Sequence, residues 1–248
     1  MTVSDGVRLE YAGPVATVTL DRPDVLNAQT PAMWRALWAI GRELRGDVRV
    51  VVVRGAGRAF SSGLDRSFIV APPVAVGEPE ECAAQIATFQ ESFTWLTRPD
   101  LITVAAVHGP AVGAGFQLAL ACDLRVLTDD ARFCMAEVTL GLVPDLGGTR
   151  RLVDLVGYSR ALEICVTGRW IDAGEADRIG LANLVVPADQ LTPAVADLTA
   201  AVLAGPRDAI VEIKALLTGA VGRTPAAQLR AEREAQTRRL RDLAGLGE

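Results

Sequence analysis

The chain contains 248 residues, of which 50% are hydrophobic and 22% are charged, a composition that is ordinary for a globular protein with a sizeable core. The formal net charge is −5, so the sequence predicts no basic surface for nucleic acid or for an anionic membrane. The four cysteines lie far apart without a C-x-x-C pair, which favours neither a zinc site nor a disulfide framework.

The N-terminal segment lacks the basic flank and apolar run of a signal peptide, and no apolar run approaches the roughly 18 residues that span a bilayer. We therefore expect a cytoplasmic protein that has no membrane segment. The single histidine, His108, argues against catalytic triads and two-histidine metal sites. Proton transfer in this protein is expected to use carboxylates.

Short runs rich in β-branched residues alternate with helix-like stretches, which is typical of the α/β class. The predicted strands cover residues 15–20, 48–54, 102–107 and 124–127. A first helix is predicted after Thr30, which would cap it, with Pro31 in its first turn. A second helix is predicted at residues 79–96, after an apolar, proline-rich loop at 71–79 that we expect beside a pocket. From residue 205 onward the pattern is helical without strands.

Two predicted strands are followed by turns of small residues. Ser61-Ser62-Gly63 lies beyond the second strand, and Gly113-Ala114-Gly115 lies beyond the third at the start of a predicted helix. The unpaired N–H groups of such a helix start point outward, so they can hold an anion or an oxyanion. Glycines here also simply permit tight turns and close packing. The third glycine of a dinucleotide-binding motif is absent.

Five segments together resemble the enoyl-CoA hydratase/isomerase family of the crotonase superfamily, over nearly the whole chain. They read LDRPDVLNA (20–28), VVVVRGAGRAFSSGLD (50–65), ITVAAVHGPAVGAGFQLALACDLRV (102–126), FCMAEVTLGLVPDLGGTRRLVDLVG (133–157) and TGRWIDAGEADRIGLANLVV (167–186). The resemblance implies an α/β, crotonase-like spiral of ββα turns with a helical C-terminal trimerisation region. It divides the chain into a core at 1–195 and an oligomerisation region at 196–248.

The resemblance also implies the ligand. The substrate would be an acyl-CoA thioester, with no separate cofactor and no metal, and the assembly a homotrimer or a dimer of trimers. The backbone N–H groups of Leu64 and Ala114 match the family's donors to a thioester enolate. The other implied contacts with the substrate are Val25, Ser62, Gly63, Phe68, Gly113, Gly115, Phe116, Gln117 and Leu142.

Carboxylates then distinguish the reactions within the family. Members that add water use two glutamates, and the first of these positions holds Gln117 here, an amide that cannot accept a proton at neutral pH. The second glutamate is retained as Glu137, the position of the base in single-glutamate isomerases. Asp145 matches an aspartate of dienoyl-CoA isomerases and of a ring-epoxide isomerase. An apolar wall of Phe116, Leu142 and the loop at 68–77 would raise the pKa of the base.

The favoured hypothesis is therefore double-bond isomerisation by Glu137 with Asp145. Water addition, with Asp145 replacing the missing glutamate, is one alternative. A non-catalytic acyl-CoA-binding protein is another. From the residues alone, Glu137 could be an exposed acid and Asp145 a turn or helix cap.

Many relatives continue after the AEREAQ stretch with a helix that supplies a basic residue to the coenzyme. Here that element is expected to be shortened. The candidate replacements are Arg238, Arg239 and Arg241 of the present tail.

Overall fold

The structure is a computed structural model that describes residues 2–70 and 78–246. Its strands are β1 Thr2–Ser4, β2 Val7–Ala12, β3 Val15–Leu20, β4 Val50–Gly55, β5 Ile102–Val107, β6 Pro110–Val112, β7 Leu124–Thr128, β8 Arg132–Cys134, β9 Trp170–Asp172 and β10 Leu184–Val186. Its helices are α1 Pro31–Glu43, α2 Arg66–Val70, α3 Pro79–Thr94, α4 Ala114–Ala121, α5 Gly148–Val156, α6 Tyr158–Thr167, α7 Ala173–Arg178, α8 Leu191–Ala204, α9 Arg207–Ala220 and α10 Pro225–Leu243. Short 3-10 helices cover Pro23–Val25, Trp95–Thr97, Ala136–Leu140 and Ala188–Gln190.

Seven strands form one sheet in the order β1-β2-β3-β4-β5-β7-β10. The first three strands pair antiparallel, and the rest of the sheet is parallel. The central strands are buried on both faces, which explains why they read as continuous apolar runs rather than as alternating patterns. The predicted α/β class and its four strands are confirmed.

The prediction for β4 was two residues too early. The Val48 N–H bonds to the Arg45 carbonyl in a turn at 3.1 Å, so pairing with β3 starts only at Val50. The second sheet, β6-β8-β9, was not predicted from the sequence. Its strands have three residues each, too few for a periodic pattern to be recognised.

The first helix begins as predicted. The Thr30 hydroxyl accepts a hydrogen bond from the Met33 N–H at 3.2 Å, and Pro31 occupies the first turn. The apolar stripe of α1 buries Met33, Trp34 and Leu37 in the main core. The second predicted helix is α3 continued by the 3-10 turn Trp95–Thr97.

The sheet has an apolar layer on each face. Val51 and Val53 point into the main core with α1, whereas Val50 and Val52 pack under α8 with Val195. Because α8 covers β4, β5 and β7 and continues from 191 to 204, the predicted boundary at 195/196 falls inside a helix. The division into two regions stays a prediction.

A buried ion pair fastens the C-terminal helices to the sheet. Lys214 on α9 donates to the Asp123 carboxylate and to the Leu101 carbonyl, both at 2.7 Å. Asp123 also accepts from the N–H and the hydroxyl of Thr103 on β5. Within residues 2–70 and 78–246, no helix is long and apolar enough to cross a membrane.

Candidate active site

The predicted N–H donors lie on two segments that pair with each other, residues 61–64 and 110–115. Ser61 bridges to Ala111, with its N–H bonded to the Pro110 carbonyl at 3.1 Å and its carbonyl accepting from the Val112 N–H at 2.9 Å. Gly63 has φ +88°, and a Cβ there would lie 2.6 Å from the Val112 carbonyl oxygen. Only glycine fits this close approach of two backbones.

Among the described residues, the backbone hydrogen bonds of the fold involve neither predicted donor, the Leu64 N–H or the Ala114 N–H. The bridge to Gln29 uses the Gly63 carbonyl and the Asp65 N–H, on either side of Leu64. Ala114 is the first residue of α4, after Gly113. In the part of the chain that the structure describes, neither the Leu64 nor the Ala114 N–H has a protein acceptor. The binding of an oxyanion by these two N–H groups, with the α4 dipole behind Ala114, stays a prediction.

A buried polar network holds residues 61–64, and the sequence analysis missed it. The side-chain amide oxygen of Gln29 accepts from the Trp34 indole N–H at 2.8 Å, and the NH₂ group of the same amide donates to the Ser61 hydroxyl at 3.1 Å. That hydroxyl donates to the Asn27 carbonyl and accepts from the Gly63 N–H. Asn27 and Gln29 are fully buried, but they lie between two predicted elements, where no local pattern indicates burial.

Glu137 lies on the 3-10 helix Ala136–Leu140 and is half-buried, so the alternative that it is an exposed acid is wrong. Its Oε1 accepts from the Gln117 amide at 2.7 Å. Its Oε2 is buried without a hydrogen-bond partner in the described residues. A Cβ on Gly113 would lie 3.2 Å from Oε1, so the carboxyl group rests against the start of α4, beside Ala114.

Burial raises the pKa of Glu137, and the nearby Asp145 carboxylate raises it further. The Gln117 hydrogen bond acts in the opposite direction. A base with a raised pKa holds a transferred proton more firmly near neutral pH.

Gln117 is 1% exposed, and its amide is engaged at both ends. Its carbonyl oxygen accepts from the Leu146 N–H at 2.9 Å and from the Gly148 N–H at 3.3 Å, while its NH₂ group donates to Glu137. The structure thus connects α4, the 3-10 helix of Glu137 and the start of α5 through one side chain. The predicted contact of Gln117 with a substrate stays a prediction.

Asp145 is half-buried between the 3-10 helix and α5. It does not cap that helix, because α5 starts at Gly148 after Gly147 with φ +86° and has no side-chain cap. The helix-cap alternative is therefore wrong. Burial raises the pKa of Asp145, and the charge of Asp145 in turn raises the pKa of Glu137.

The remaining predicted contacts fall into two groups. Phe116 is fully buried against Phe133, with ring centroids 4.7 Å apart, and a Cβ on Gly115 would lie 2.7 Å from the Cβ of Ser61. Near the surface lie Val25, Ser62, Phe68 and Leu142. Of the predicted loop at 68–77, residues 71–77 lie outside the described residues.

Two of the three candidate tail arginines are engaged in ion pairs. Arg238 pairs with Glu212, and Arg239 pairs with Asp208 and Asp242. Their predicted contact with a coenzyme stays a prediction. No group of three or more metal-binding side chains occurs in the described ranges.

Two clefts lie away from Glu137. One, of about 380 Å³, lies between the sheet and α8, and the other, of about 1000 Å³, lies between α9 and the α4–α5 pair. Neither is lined by Glu137 or Asp145.

The mixed seven-stranded sheet, the separate three-stranded sheet and a carboxyl beside the start of α4 are together typical of a crotonase-like protein. The family model described as Enoyl-CoA hydratase/isomerase matches residues 10–242. The chain belongs to this family, which confirms the resemblance seen in the sequence.

Its relatives include enzymes and solved structures with the same fold. The chain is 35% identical over 182 residues to "Probable enoyl-CoA hydratase echA8" of Mycobacterium bovis, covering 71% of this chain and 67% of that protein. It is 47% identical to a candidate enoyl-CoA hydratase from Thermobifida fusca YX crystallised with CoA, with a TM-score of 0.91 and coverage of 97% and 95%. The same protein was crystallised with acetoacetyl-CoA. An enoyl-CoA hydratase from Bacillus anthracis, 27% identical, gives a TM-score of 0.85 and coverage of 97% and 95%.

Proposed function

We propose that this protein moves a carbon–carbon double bond within an acyl-CoA thioester. The single observation that carries this proposal is the Gln117 amide, hydrogen-bonded through both its oxygen and its NH₂ group, at the position that the family resemblance assigns to the first glutamate of water-adding relatives. An amide cannot take a proton from water. The acids that remain for proton transfer are Glu137 and Asp145, and the charge of Asp145 raises the pKa of Glu137.

The thioester part of the proposal is supported by the T. fusca relative, which was crystallised with CoA and with acetoacetyl-CoA. Coenzyme A is then part of the substrate, and no separate cofactor is proposed. The proposed place of action is the cytoplasm.

In the proposed reaction, Glu137 Oε2 removes a proton from C2 of a 3-enoyl thioester. The electron pair of that C–H bond forms a dienolate, whose charge rests on the thioester oxygen between the Leu64 and Ala114 N–H groups. Each such donor is typically worth about 3–4 kcal/mol. Asp145, once it has taken up a proton from solvent, delivers that proton to C4, so the double bond moves without gain of water. Exchange with solvent returns both carboxyls to their starting states.

The test is incubation of 3-hexenoyl-CoA with the protein in deuterium oxide, followed by chromatography and mass spectrometry. We expect conversion to the 2-enoyl isomer with deuterium incorporation and no added water. An unchanged thioester, for this and for branched and aromatic 3-enoyl substrates, would contradict the proposal and favour a binding protein without turnover.

Water addition is the second candidate, and the names of the hydratase relatives favour it. Here Asp145 would share the catalytic water with Glu137 in place of the missing glutamate. Incubation with 2-hexenoyl-CoA separates the two candidates, because hydration adds the mass of one water to the thioester and isomerisation adds none.

We further propose a homotrimer or a dimer of trimers, assembled through the C-terminal helices. Ile213, Leu217 and Val221 project from α9 and its end as exposed apolar side chains, which is typical of a contact surface. Light scattering coupled to size exclusion is expected to give three or six times the 26.2 kDa chain mass. A monomer at micromolar concentration would contradict this.

A further inference from the structure

The Gln117 amide can take only one orientation in this structure. Its oxygen faces two backbone donors, the N–H groups of Leu146 and Gly148. A flipped amide would place its NH₂ group against those donors and its oxygen against the Glu137 carboxylate. The NH₂ group is therefore held toward Glu137 by the backbone of the next segment.

Two glycines close around this amide and carboxyl pair. A Cβ on Gly148 would lie 2.7 Å from the Gln117 Cγ, and a Cβ on Gly113 would lie 3.2 Å from Glu137 Oε1. Neither side chain has room to move toward these backbones. The Gln117–Glu137 contact is thus built into the packing of α4, the 3-10 helix and α5.

We propose that Gln117 is a positioning residue, which holds Glu137 Oε1 so that Oε2 alone is presented for proton transfer. This inference rests on the proposed function and deepens it, because it assigns Gln117 a role without substrate contact. The second oxygen of Glu137, Oε2, is buried without a hydrogen-bond partner among the described residues, so it is the oxygen that remains for proton transfer. The Gln117 amide cannot take the proton, so only Glu137 of this pair of side chains can be protonated.

The Gln117 amide also holds the backbone next to the second carboxyl, that of Asp145. Leu146, whose N–H it accepts, follows Asp145 directly in the chain. Gln117 therefore ties Glu137 and the residue after Asp145 to one point of α4. Loss of the amide is expected to loosen both carboxyls relative to the Ala114 N–H, and misplacement of a reacting group by about 1 Å can cost about 100-fold in rate.

The test uses two substitutions at one position. Gln117→Met keeps the length of the side chain and removes both hydrogen-bonding functions. Gln117→Glu keeps an oxygen for the Leu146 and Gly148 N–H groups and places its other oxygen against Glu137. The titratable groups that interact electrostatically with Glu137 in the natural protein are Asp145, Cys134 and Cys165.

The first readout is the titration of the Glu137 carboxyl by ¹³C NMR with labelled glutamate, assigned by its loss in Glu137→Gln. It needs no substrate. We expect Gln117→Met to raise the pKa of Glu137, because a hydrogen bond to the charged form is lost. We expect Gln117→Glu to titrate in two steps, because two carboxyls at hydrogen-bond distance share a proton.

The second readout is isomerase kinetics. Gln117→Met is expected to lower kcat by about 10-fold to 100-fold with KM changed less than threefold. Gln117→Glu is expected to retain activity near neutral pH, where its shared proton mimics the amide N–H, and to lose activity at alkaline pH. If Gln117 had only a structural role, Gln117→Glu would not add this loss of activity at alkaline pH to the pH profile.

Gln90→Met is the matched control, because Gln90 donates to the Asp145 backbone carbonyl at 2.7 Å and, among the described residues, the side-chain hydrogen bond to Glu137 comes from Gln117 instead. Its Glu137 titration is expected to match that of the natural protein. An unshifted Glu137 pKa in Gln117→Met overturns the inference, whatever its kcat. If Gln117→Met does not fold, single-step titration in Gln117→Glu overturns it. Absence of isomerase activity in the natural protein would contradict the proposed function, while the titration still decides the role of Gln117.

Discussion

The two halves of the candidate site are built in different ways. The donor segments, residues 61–64 and 110–115, are paired with each other through backbone hydrogen bonds and lie over a buried amide network. The carboxyl segment, residues 136–146, is a short 3-10 helix and a loop. It exposes Val138, Leu140, Leu142 and Val143 to solvent.

In the proposed reaction, this difference separates enolate stabilisation by the backbone donors from proton transfer by the two acids. Stabilisation of an enolate needs only donors at fixed positions, and backbone pairing supplies them without reference to side-chain identity. The acids lie on a segment with few long-range backbone bonds, and one amide, Gln117, connects them to the donor segments. A change at such a segment can alter the reaction while the fold is retained.

The largest expected effect belongs to the carboxyl segment. Glu137→Gln removes the proposed base and is expected to lower isomerase turnover by about 100-fold to 10,000-fold. Deuterium exchange at C2 should be lost with it, while the melting temperature should not fall, because a neutral amide replaces a half-buried acid. Exchange at the natural rate would remove Glu137 from its proposed role.

In the donor segments, Gly63→Ala tests the backbone approach. A Cβ at this position would meet the Val112 carbonyl oxygen at 2.6 Å on a backbone with φ +88°. We expect a loss of about 2–3 kcal/mol in the free energy of unfolding together with a large fall in kcat/KM.

Gly13→Ala is the matched control for that substitution. Gly13 also has positive φ, +57°, but open space around its Cβ position. It should lose only the conformational component, about 1 kcal/mol, at unchanged kcat/KM. Equal losses in urea unfolding would show that the contact with Val112 is unimportant.

A paired comparison of stability tests the two segments directly. Ser61→Ala leaves the Gln29 amide, the Gly63 N–H and the Asn27 carbonyl without their partner, so we expect a loss of about 1–3 kcal/mol. Leu142→Ala removes a side chain that is 48% exposed and should cost less than about 0.5 kcal/mol. Chemical denaturation of both variants measures the two losses in the free energy of unfolding. Equal losses would contradict the proposed difference between the donor segments and the carboxyl segment.

The smallest expected effect is a pH dependence. The pKa of Glu137 is higher in the folded chain than in the unfolded chain, so the stability that this group contributes is complete below its unfolded pKa. That stability is lost as pH rises through the folded pKa. Relative to the natural protein, Glu137→Gln should therefore be more stable at pH 8 than at pH 5. A pH-independent difference in urea unfolding would contradict the raised pKa.

Much of the fold could be predicted because its signals are local. The β-branched runs of β3 and β5 and the Thr30-Pro31 start of α1 each lie within a few consecutive residues. Five ordered segments were enough to indicate the family that the comparisons later showed. The second sheet escaped detection because its strands are too short to carry a period.

The sequence by itself determined the fold class and the family, and it predicted the chemical types in the candidate site: backbone donors, one amide and two acids. Only the tertiary structure decided how they meet. It joined Gln117 to Glu137 across 20 residues, left one oxygen of Glu137 without a hydrogen-bond partner among the described residues, and showed that Asp145 does not cap α5. The reason is physical, because these contacts depend on where loops close after long-range packing, and no local pattern of residues encodes that distance.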